Sequence, residues 1–323
     1  MTTESSDRSR ASDTTEITDS TQIAETSEIV EKPEIAEGRR GQMRSEASVL
    51  RAPSIGFALL GSELSVLFRR RRTWAMLAAL AAVPILIAIV VKLTHSSSQG
   101  GPAFLDRLEN NGLFTVFVAL GVCVPLFLPL TVGVVAGDTI AGEASHGTLR
   151  YLLIAPAGRI RLLIVKYVGA AVFSLAATLV VCLAGALIGF ALFPSGSVAL
   201  ISGDSVSLAD ALGRSLLIAL YVTVSLLGLS AIGLFFSTLT DVPVGAMAAT
   251  IIFAVASQVL DQLPQLDWLH PWLFSHYWLG FADMLRAPIS WVNFGDNALL
   301  QAGYILVFGA LAFGRFSNKD ILS

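Results

Sequence analysis

The residues best suited to bind a partner lie in one charged stretch, from Asp138 to Lys166, between two long apolar segments. Its acidic residues and its histidine come first and its basic residues follow: Asp138, Glu143 and His146, then Arg150, Arg159, Arg161 and Lys166. Between the two groups, a turn at Gly147-Thr148 precedes an apolar ridge that begins at Leu149. Two interpretations fit this pattern. The stretch is either a short amphipathic helix that docks a soluble protein, or a loop whose basic residues set the membrane topology.

Residues that normally build catalytic or metal sites are scattered along the chain. Cys123 and Cys182 both fall in apolar runs, as small packing residues do. The histidines at 95, 146, 270 and 276 lie in loops and lack metal-ligand spacing. The chain also contains no Gly-x-x-x-x-Gly-Lys-Ser/Thr sequence with which to hold nucleotide phosphates. We therefore expect neither an enzyme activity nor a cofactor in this chain.

The segments around the charged stretch have the composition of a membrane protein. Hydrophobic residues make up 54% of the chain and charged residues only 14%. Six apolar runs approach the ~20 residues needed to cross a bilayer, at 73–93, 113–137, 165–193, 215–237, 243–260 and 298–315. The sequence predicts an all-α membrane protein. Because no Asp, Glu, Arg or His falls in the middle of a span, an ion-coupled carrier is disfavoured, and energy should come from a separate ATPase.

The N-terminal region divides into two parts by composition. Residues 1–47 are predicted to be a disordered cytoplasmic tail, since residues 1–37 alone contain ten Asp or Glu. Residues 48–72 have the pattern of an amphipathic helix lying at the membrane interface and end in four arginines, Arg69–Arg72. This basic run is too short and too close to a span to predict nucleic-acid binding. Residues 73–323 are predicted to form the six-span domain.

The distribution of basic residues predicts the topology. Arg69–Arg72, the basic residues of the charged stretch and Arg315 fall on one side of the six spans, and few basic residues fall on the other. By the positive-inside rule, that side is the cytoplasm. We expect a multi-pass plasma-membrane protein with both termini in the cytoplasm.

The connection at 261–297 is aromatic, and three prolines prevent it from spanning. It predicts one or two short helices that dip into the outer leaflet, with indole rings at the headgroups. His276, Tyr277 and Trp278 are its candidates for an outer gate, and an aromatic belt is the equal alternative. Within the spans, Gly133 and Gly137 form a Gly-x-x-x-Gly pair that either permits close helix packing or lines a pathway.

The charged stretch resembles the signature loop of type-2 ABC exporter permeases. The matching positions are Glu143, Gly147-Thr148-Leu149, Leu152-Leu153, Pro156, Arg159 and Lys166. The C-terminal half resembles the same family through His276-Tyr277-Trp278, Leu285-Arg286, Pro288, Trp291, Tyr304, Arg315-Phe316 and Lys319-Asp320-Ile321. The resemblance covers about residues 48–323 and has no counterpart for the first 47 residues.

In that family the loop contains a coupling helix that sits in a groove of the ATP-binding subunit. The resemblance implies that Glu143, Gly147, Thr148, Leu149 and Arg150 contact an ABC ATP-binding subunit. It also implies that Arg159 and Lys166 anchor the loop at the headgroups of the membrane lipid. Glu143, placed near a helix start, would cap that helix and accept hydrogen bonds from the partner.

The implied assembly contains this permease, a second copy of it or a related permease, and two ATP-binding subunits that hold ATP and Mg. It would export an unidentified substrate across the plasma membrane. A different function stays open: the chain could be a membrane anchor or mechanotransmission subunit that binds an ATPase but moves no substrate. An ion-coupled carrier would require activity that survives loss of the ATPase.

Overall fold

The computed structural model describes residues 54–95, 112–147, 159–194, 198–199 and 205–318. Within these ranges the chain forms eight α-helices and one pair of short strands. The helices are α1 Ser54–Arg69, α2 Arg71–His95, α3 Phe114–Val122, α4 Leu128–Ser145, α5 Arg159–Leu192, α6 Leu208–Leu239, α7 Pro243–Asp261 and α8 Val292–Ser317. Strands β1 (Val198–Ala199) and β2 (Ser205–Val206) pair antiparallel between α5 and α6. The predicted tail at 1–47 lies outside the described residues.

The protein is an all-α, multi-pass membrane protein, as the sequence predicts. Six helical segments are long and apolar enough to cross a membrane: Arg71–Leu93, Phe114–Ser145, Ile160–Leu192, Leu208–Leu239, Pro243–Asp261 and Val292–Ser317. The second combines α3, a π-helical turn at Cys123–Phe127 and α4. Pro125 lies in that turn, where its missing N–H removes one bond of the regular helical ladder.

Two apolar clusters show how the spans alternate in direction. One joins the end of α4, the start of α5 and the ends of α6 and α8 through Ile140, Leu162, Leu163, Leu234, Ala312 and Phe316. We call this the near end of the bundle. The other joins the end of α2 to the end of α5 through Ala88, Val91 and Phe193, with Phe114 at the start of α3 packed against it. We call this the far end.

A sharp bend joins α1 to α2 at Arg70. A helix leaves its last carbonyls without helical partners, and side chains from α2 bind two of those in α1. Thr73 Oγ1 donates to Leu67 O at 2.6 Å, and Trp74 Nε1 donates to Phe68 O at 2.7 Å. Of the amphipathic helix predicted at 48–72, α1 and this bend cover residues 54–70, Arg71 and Arg72 begin α2, and residues 48–53 lie outside the described residues. Its position at the membrane interface stays a prediction.

Glycines bring α4 very close to α7. A Cβ atom on Gly137 would lie 2.8 Å from the N and Cα atoms of Met247, and one on Gly133 would lie 3.3 Å from Ile251 Cγ1. The Gly-x-x-x-Gly pair therefore permits close helix packing, one of its two predicted roles. On another face of α4, the N–H groups of residues 140 and 141 both donate to Ser237 Oγ of α6 at 2.9 Å.

The aromatic connection between α7 and α8 does not span. It forms three short 3₁₀ helices, Pro264–Leu266, His270–Trp272 and Trp278–Leu285, and we call residues 262–291 the far-end segment. The indoles of Trp268, Trp272 and Trp291 are exposed. The expectation of an indole at the headgroups is wrong for Trp278, which is buried and donates from Nε1 to Ser225 O of α6 at 3.0 Å.

Gly137→Ala should destabilise the bundle, although alanine is the better helix former. Alanine gains up to about 1 kcal/mol in a helix interior, but overpacking against the Met247 backbone costs about 1–3 kcal/mol. The midpoint of thermal unfolding in detergent should therefore fall, as followed by a thiol-reactive dye that reaches the buried Cys123 and Cys182 on unfolding. Gly121→Ala is the matched control, because a Cβ there meets no atom within 4 Å. Equal midpoints for the two variants would contradict the close approach of α4 and α7.

Candidate coupling site

The last turn of helix α4 contains an acidic residue, although the helix dipole favours a basic residue at a C-terminus. Glu143 lies in the last turn of α4, where unpaired carbonyls carry partial negative charge. A carboxylate at this position needs a cation close by. Lys166, in the second turn of α5, supplies it by donating from Nζ to Glu143 Oε1.

Lys166 is the centre of an ion cluster that joins three helices. Its Nζ also donates to Glu63 Oε1 of α1 at 2.7 Å. The Lys166 side chain is 3% exposed, against 16% for Glu143 and 25% for Glu63. Removing an ammonium from water is unfavourable unless it is paired, and the two carboxylates provide that pairing. This Lys166 cluster (Glu63, Glu143 and Lys166) therefore fixes α1, α4 and α5 to one another at the near end.

A second, more exposed ion cluster lies beside the first. Asp138 of α4 accepts from Arg70 Nη1 at 3.1 Å and from Arg72 Nη1 at 3.4 Å, both at the bend between α1 and α2. Arg72 Nη2 also lies 3.4 Å from Met247 Sδ of α7. Because both arginines are about half exposed, each pair contributes at most about 1 kcal/mol. Asp138 thus adds a weaker connection from the bend to α4.

A cavity of about 40 Å³ lies between the two ion clusters. Its charged lining residues are Glu63, Arg70, Arg72, Asp138 and Lys166. This volume suits ordered water and is far too small for a drug-sized solute. We infer that the cavity belongs to the hydration of the ion clusters and not to a transport pathway.

Gly147 ends α4 in the turn that the sequence predicts. Its φ is +70°, a left-handed conformation that glycine adopts readily and that commonly terminates helices. Its N–H donates to Ala144 O at 3.0 Å. Just before it, Ser145 Oγ donates to Gly142 O at 2.8 Å, and His146 Nδ1 lies 2.6 Å from the same oxygen. The exposed tip of α4 is therefore residues 145–147.

Other predicted coupling residues lie beyond this tip. Thr148, Leu149 and Arg150 lie outside the described residues, as does most of the predicted coupling helix. Helix α5 begins at Arg159, whose side chain also lies outside the description. Their predicted contacts with an ATPase and with lipid headgroups stay predictions.

The structure changes two expectations about the charged stretch. Glu143 lies in the last turn of α4 and not in a loop that precedes a helix; any helix that it would cap begins beyond residue 147, outside the described residues, so the capping role stays a prediction. Lys166 does not extend its ammonium to the headgroups, because that group is buried between two carboxylates. Both positions have one physical cause. Cations from α5 and from the bend neutralise Glu143 and Asp138, so α4 continues as a helix through residues predicted to form a loop.

The three candidates for an outer gate each make separate contacts within the bundle. His276 Nδ1 lies 2.6 Å from Asp261 Oδ1 at the end of α7, and Trp278 is buried against α6. The Tyr277 carbonyl accepts from Tyr221 Oη of α6 at 2.6 Å. Burial and the nearby Asp296 carboxylate raise the pKa of the Tyr277 phenol. These contacts are those of a packed segment, and gating stays a prediction.

Three residues to which the sequence pattern assigns no role lie in polar clusters in the structure. Glu63 is one, and its signal is a lone acid in an otherwise apolar amphipathic helix. Asn297 and Gln301 are the others, and their signal is the i, i+4 spacing that puts two amides on one helix face. Both are buried. Asn297 Nδ2 donates to Ser225 Oγ at 2.7 Å and Gln301 Nε2 to Phe274 O at 2.8 Å, so they fasten α8 to α6 and to the far-end segment.

The near-end site holds three helices together through opposite charges. Among the described residues, no group of three or more His, Cys, Asp or Glu side chains is placed to hold a metal ion. The Lys166 cluster combines one ammonium with two carboxylates from different helices. Such an arrangement links the positions of those helices.

Comparison with known proteins gives a family without an assigned activity. The family model DUF2705, described as a protein of unknown function, matches residues 85–322. The uncharacterized protein YhcI of Bacillus subtilis (strain 168) is 25% identical over 218 residues, which cover 65% of this chain and 64% of that protein. The chain thus spans slightly less than two thirds of this relative's length. The region matched by the family model contains Glu143 and Lys166 but not Glu63.

Lys166→Met should destabilise the protein strongly. It leaves Glu63 and Glu143 without their shared cation, and breaking a buried ion pair costs about 3 kcal/mol or more. The thermal midpoint in detergent should fall, and adding Glu143→Gln should restore part of the loss by removing one of the two carboxylate charges that faced the lysine. Lys92→Met is the control, because the exposed Lys92 ammonium lies over the Phe193 ring, a contact worth about 0.5–1 kcal/mol. Similar midpoints for the two single variants would show that the Lys166 cluster is not holding the near end.

Proposed function

The chain belongs to the DUF2705 family, whose description names no activity, and from its own residues we propose that it is the membrane permease subunit of an ATP-driven exporter. A separate ABC ATP-binding subunit, which holds ATP and Mg, drives it from the near end. The permease then exports an unidentified substrate across the plasma membrane. The observation that carries the proposal is the Lys166 cluster, because it connects the exposed tip of α4 to two other helices.

A separate energy source is part of the proposal for two reasons. The sequence has no phosphate-binding Gly-x-x-x-x-Gly-Lys-Ser/Thr motif. In the described spans, the acidic and basic residues lie toward the helix ends, whereas proton and sodium relays need such residues within the membrane. Both observations favour force applied from outside the bilayer.

Contacts at the near end supply a route for that force. A push on residues 145–147 moves α4 along its axis, and Glu143 carries Lys166 and hence α5 with it. Glu63 links the same ammonium to α1. Farther along α4, the close approach at Gly137 and the bonds to Ser237 connect it to α7 and α6. A displacement of one helix tip is therefore shared by most of the near end.

The positions of these residues refine the roles that the family resemblance implies. Gly147, with Thr148, Leu149 and Arg150 after it, is proposed to contact the ATP-binding subunit directly. Glu143 is proposed to be a positioning residue that joins this contact surface to Lys166. The assembly contains two permease chains, either two copies of this chain or this chain with a related one.

The near end is proposed to face the cytoplasm. Arg69–Arg72 lie at the bend between α1 and α2, and Arg315 lies in the last turn of α8. This accumulation of arginines at one end of a six-span bundle agrees with the positive-inside rule. Both termini then lie in the cytoplasm.

Glu143→Arg should uncouple ATP hydrolysis from movement of the permease, because it places a cation against Lys166. The readout is the rate at which a maleimide labels a His276→Cys reporter at the far end, measured with and without ATP in complexes that carry the copurified ATPase. We expect ATP to change this rate in the parent protein. In the Glu143→Arg variant, hydrolysis should continue and the change should be lost.

Asp241→Arg is the matched control, since it places an arginine in the near-end turn between α6 and α7 without replacing a member of the Lys166 cluster. It should keep the ATP-dependent change. Glu143→Gln preserves the side-chain shape and should weaken the change even if Glu143→Arg fails to reach the membrane. Full coupling in both Glu143 variants would remove Glu143 from the route, and failure of any ATPase to copurify would overturn the proposed function. An ATPase that moves the reporter without any solute transport would instead indicate the mechanotransmission subunit.

The proposed orientation makes a separate prediction for intact cells. A membrane-impermeant maleimide should label Trp268→Cys in the far-end segment and should not label Asp241→Cys until the cells are opened. Both positions are exposed, whereas the native Cys123 and Cys182 are buried. The reverse labelling pattern would show that the near end faces the exterior.

A further inference from the structure

A groove between the far-end segment and α8 has the size of a small-molecule site. Its volume is about 610 Å³, and ligand pockets in proteins typically enclose about 300–1,000 Å³. Trp272 and Tyr277 line it from the far-end segment, and Leu300, Tyr304 and Phe308 line it from α8. None of these residues belongs to the near-end site.

The aromatic walls of the groove are held in place by contacts within the chain. Tyr304 and Phe308 stack with a centroid distance of 5.9 Å and an interplanar angle of 3°. Tyr304 Oη donates to Trp272 O at 2.8 Å, which joins the two walls. Because the rings are positioned before any ligand enters, little conformational entropy is lost on binding.

Charge distinguishes this groove from an ordinary lipid-facing surface. Asp296 lines it near the start of α8, and none of the lining residues is basic. The Asp296 carboxylate lies close enough to Tyr277 to contribute to the raised pKa of its phenol. Aromatic faces attract cations, and the negative charge of a carboxylate beside them attracts a cation to that part of the groove. The groove thus combines an anionic head region with a long apolar body.

We propose that this groove binds a small amphipathic organic cation. The positive group lies beside Asp296 and the rings of Tyr277 and Trp272, and the apolar part lies along Tyr304 and Phe308. A soluble compound is favoured over a two-chain phospholipid because the volume matches a drug-sized ligand. The proposal does not depend on an ATPase, since binding requires only the described chain.

The test uses tetraphenylphosphonium as the probe and isothermal titration calorimetry of the purified full chain in a neutral detergent. We expect saturable binding that Asp296→Asn weakens about fivefold, as expected for loss of a partly exposed charge contact. The matched control is Asp267→Asn in the far-end segment, whose side chain is 80% exposed and does not line the groove. The anion tetraphenylborate, which has nearly the same shape, should not compete. The thermal midpoint of each variant is measured to confirm that it is folded.

Three outcomes would overturn the proposal. Equal affinity of the parent and the Asp296→Asn variant would exclude charge recognition. Displacement of the probe by phosphatidylethanolamine, together with copurification of that lipid, would assign the groove to a bilayer lipid. Binding by a monomeric fraction that is lost in a dimeric fraction would assign it to a second copy of the chain. Because the assay contains no ATPase, its failure leaves the coupling proposal intact, and failure of coupling leaves this result intact.

Discussion

The burial of the Lys166 ammonium constrains the rest of the near end. A cation removed from water inside an apolar bundle needs compensating anions, and Glu63 and Glu143 supply them from two other helices. The position of α5 therefore cannot change without either moving α1 and α4 or breaking an ion pair. Two features of the near end agree with this requirement. Helix α1, which ends at the bend, carries Glu63 to Lys166, and the last turn of α4 carries Glu143 to it. Asp138 and its two arginines are more exposed and add less.

The two ends of the bundle are held by different interactions. At the near end the contacts between helices include ion pairs whose strength depends on hydration and on neighbouring charge. At the far end, Arg214 donates to Met284 O and Arg286 O, but the buried connections are made by neutral groups: Asn297 to Ser225, Gln301 to Phe274 and the Trp278 indole to α6. Neutral buried hydrogen bonds do not respond to an approaching charge as ion pairs do. A charged partner at the near end would therefore change local contacts there while the far-end segment stays attached to α6 and α8.

Hydropathy was sufficient to predict the spans, because each needs only an apolar run of the right length. The turn at Gly147 was also predictable from the sequence, since glycine commonly terminates helices in the left-handed conformation. The pairing of Lys166 with Glu63 was not predictable, because Glu63 is far away in sequence and no local pattern indicates that the two side chains meet. The same limit applies to Trp278: composition makes an indole an interface residue, and only the acceptor at Ser225 explains why this one is buried. Hydropathy ends the second span near residue 137, whereas α4 continues to Ser145, because cations from other helices neutralise its acidic residues and hydropathy does not register them.

The double pairing of Lys166 has a consequence for how a partner could act. If the ammonium had only Glu143, any cation that drew Glu143 away would leave a buried charge alone, at a cost of several kcal/mol. Glu63 changes this, because Lys166 keeps one carboxylate while Glu143 rotates toward an incoming basic group. Glu143 can then exchange Lys166 for another cation at a moderate cost, whereas separating Lys166 from both carboxylates would leave a buried charge alone. In the proposed exporter, this asymmetry lets the tip of α4 respond to an ATP-binding subunit without unfastening α5 from α1.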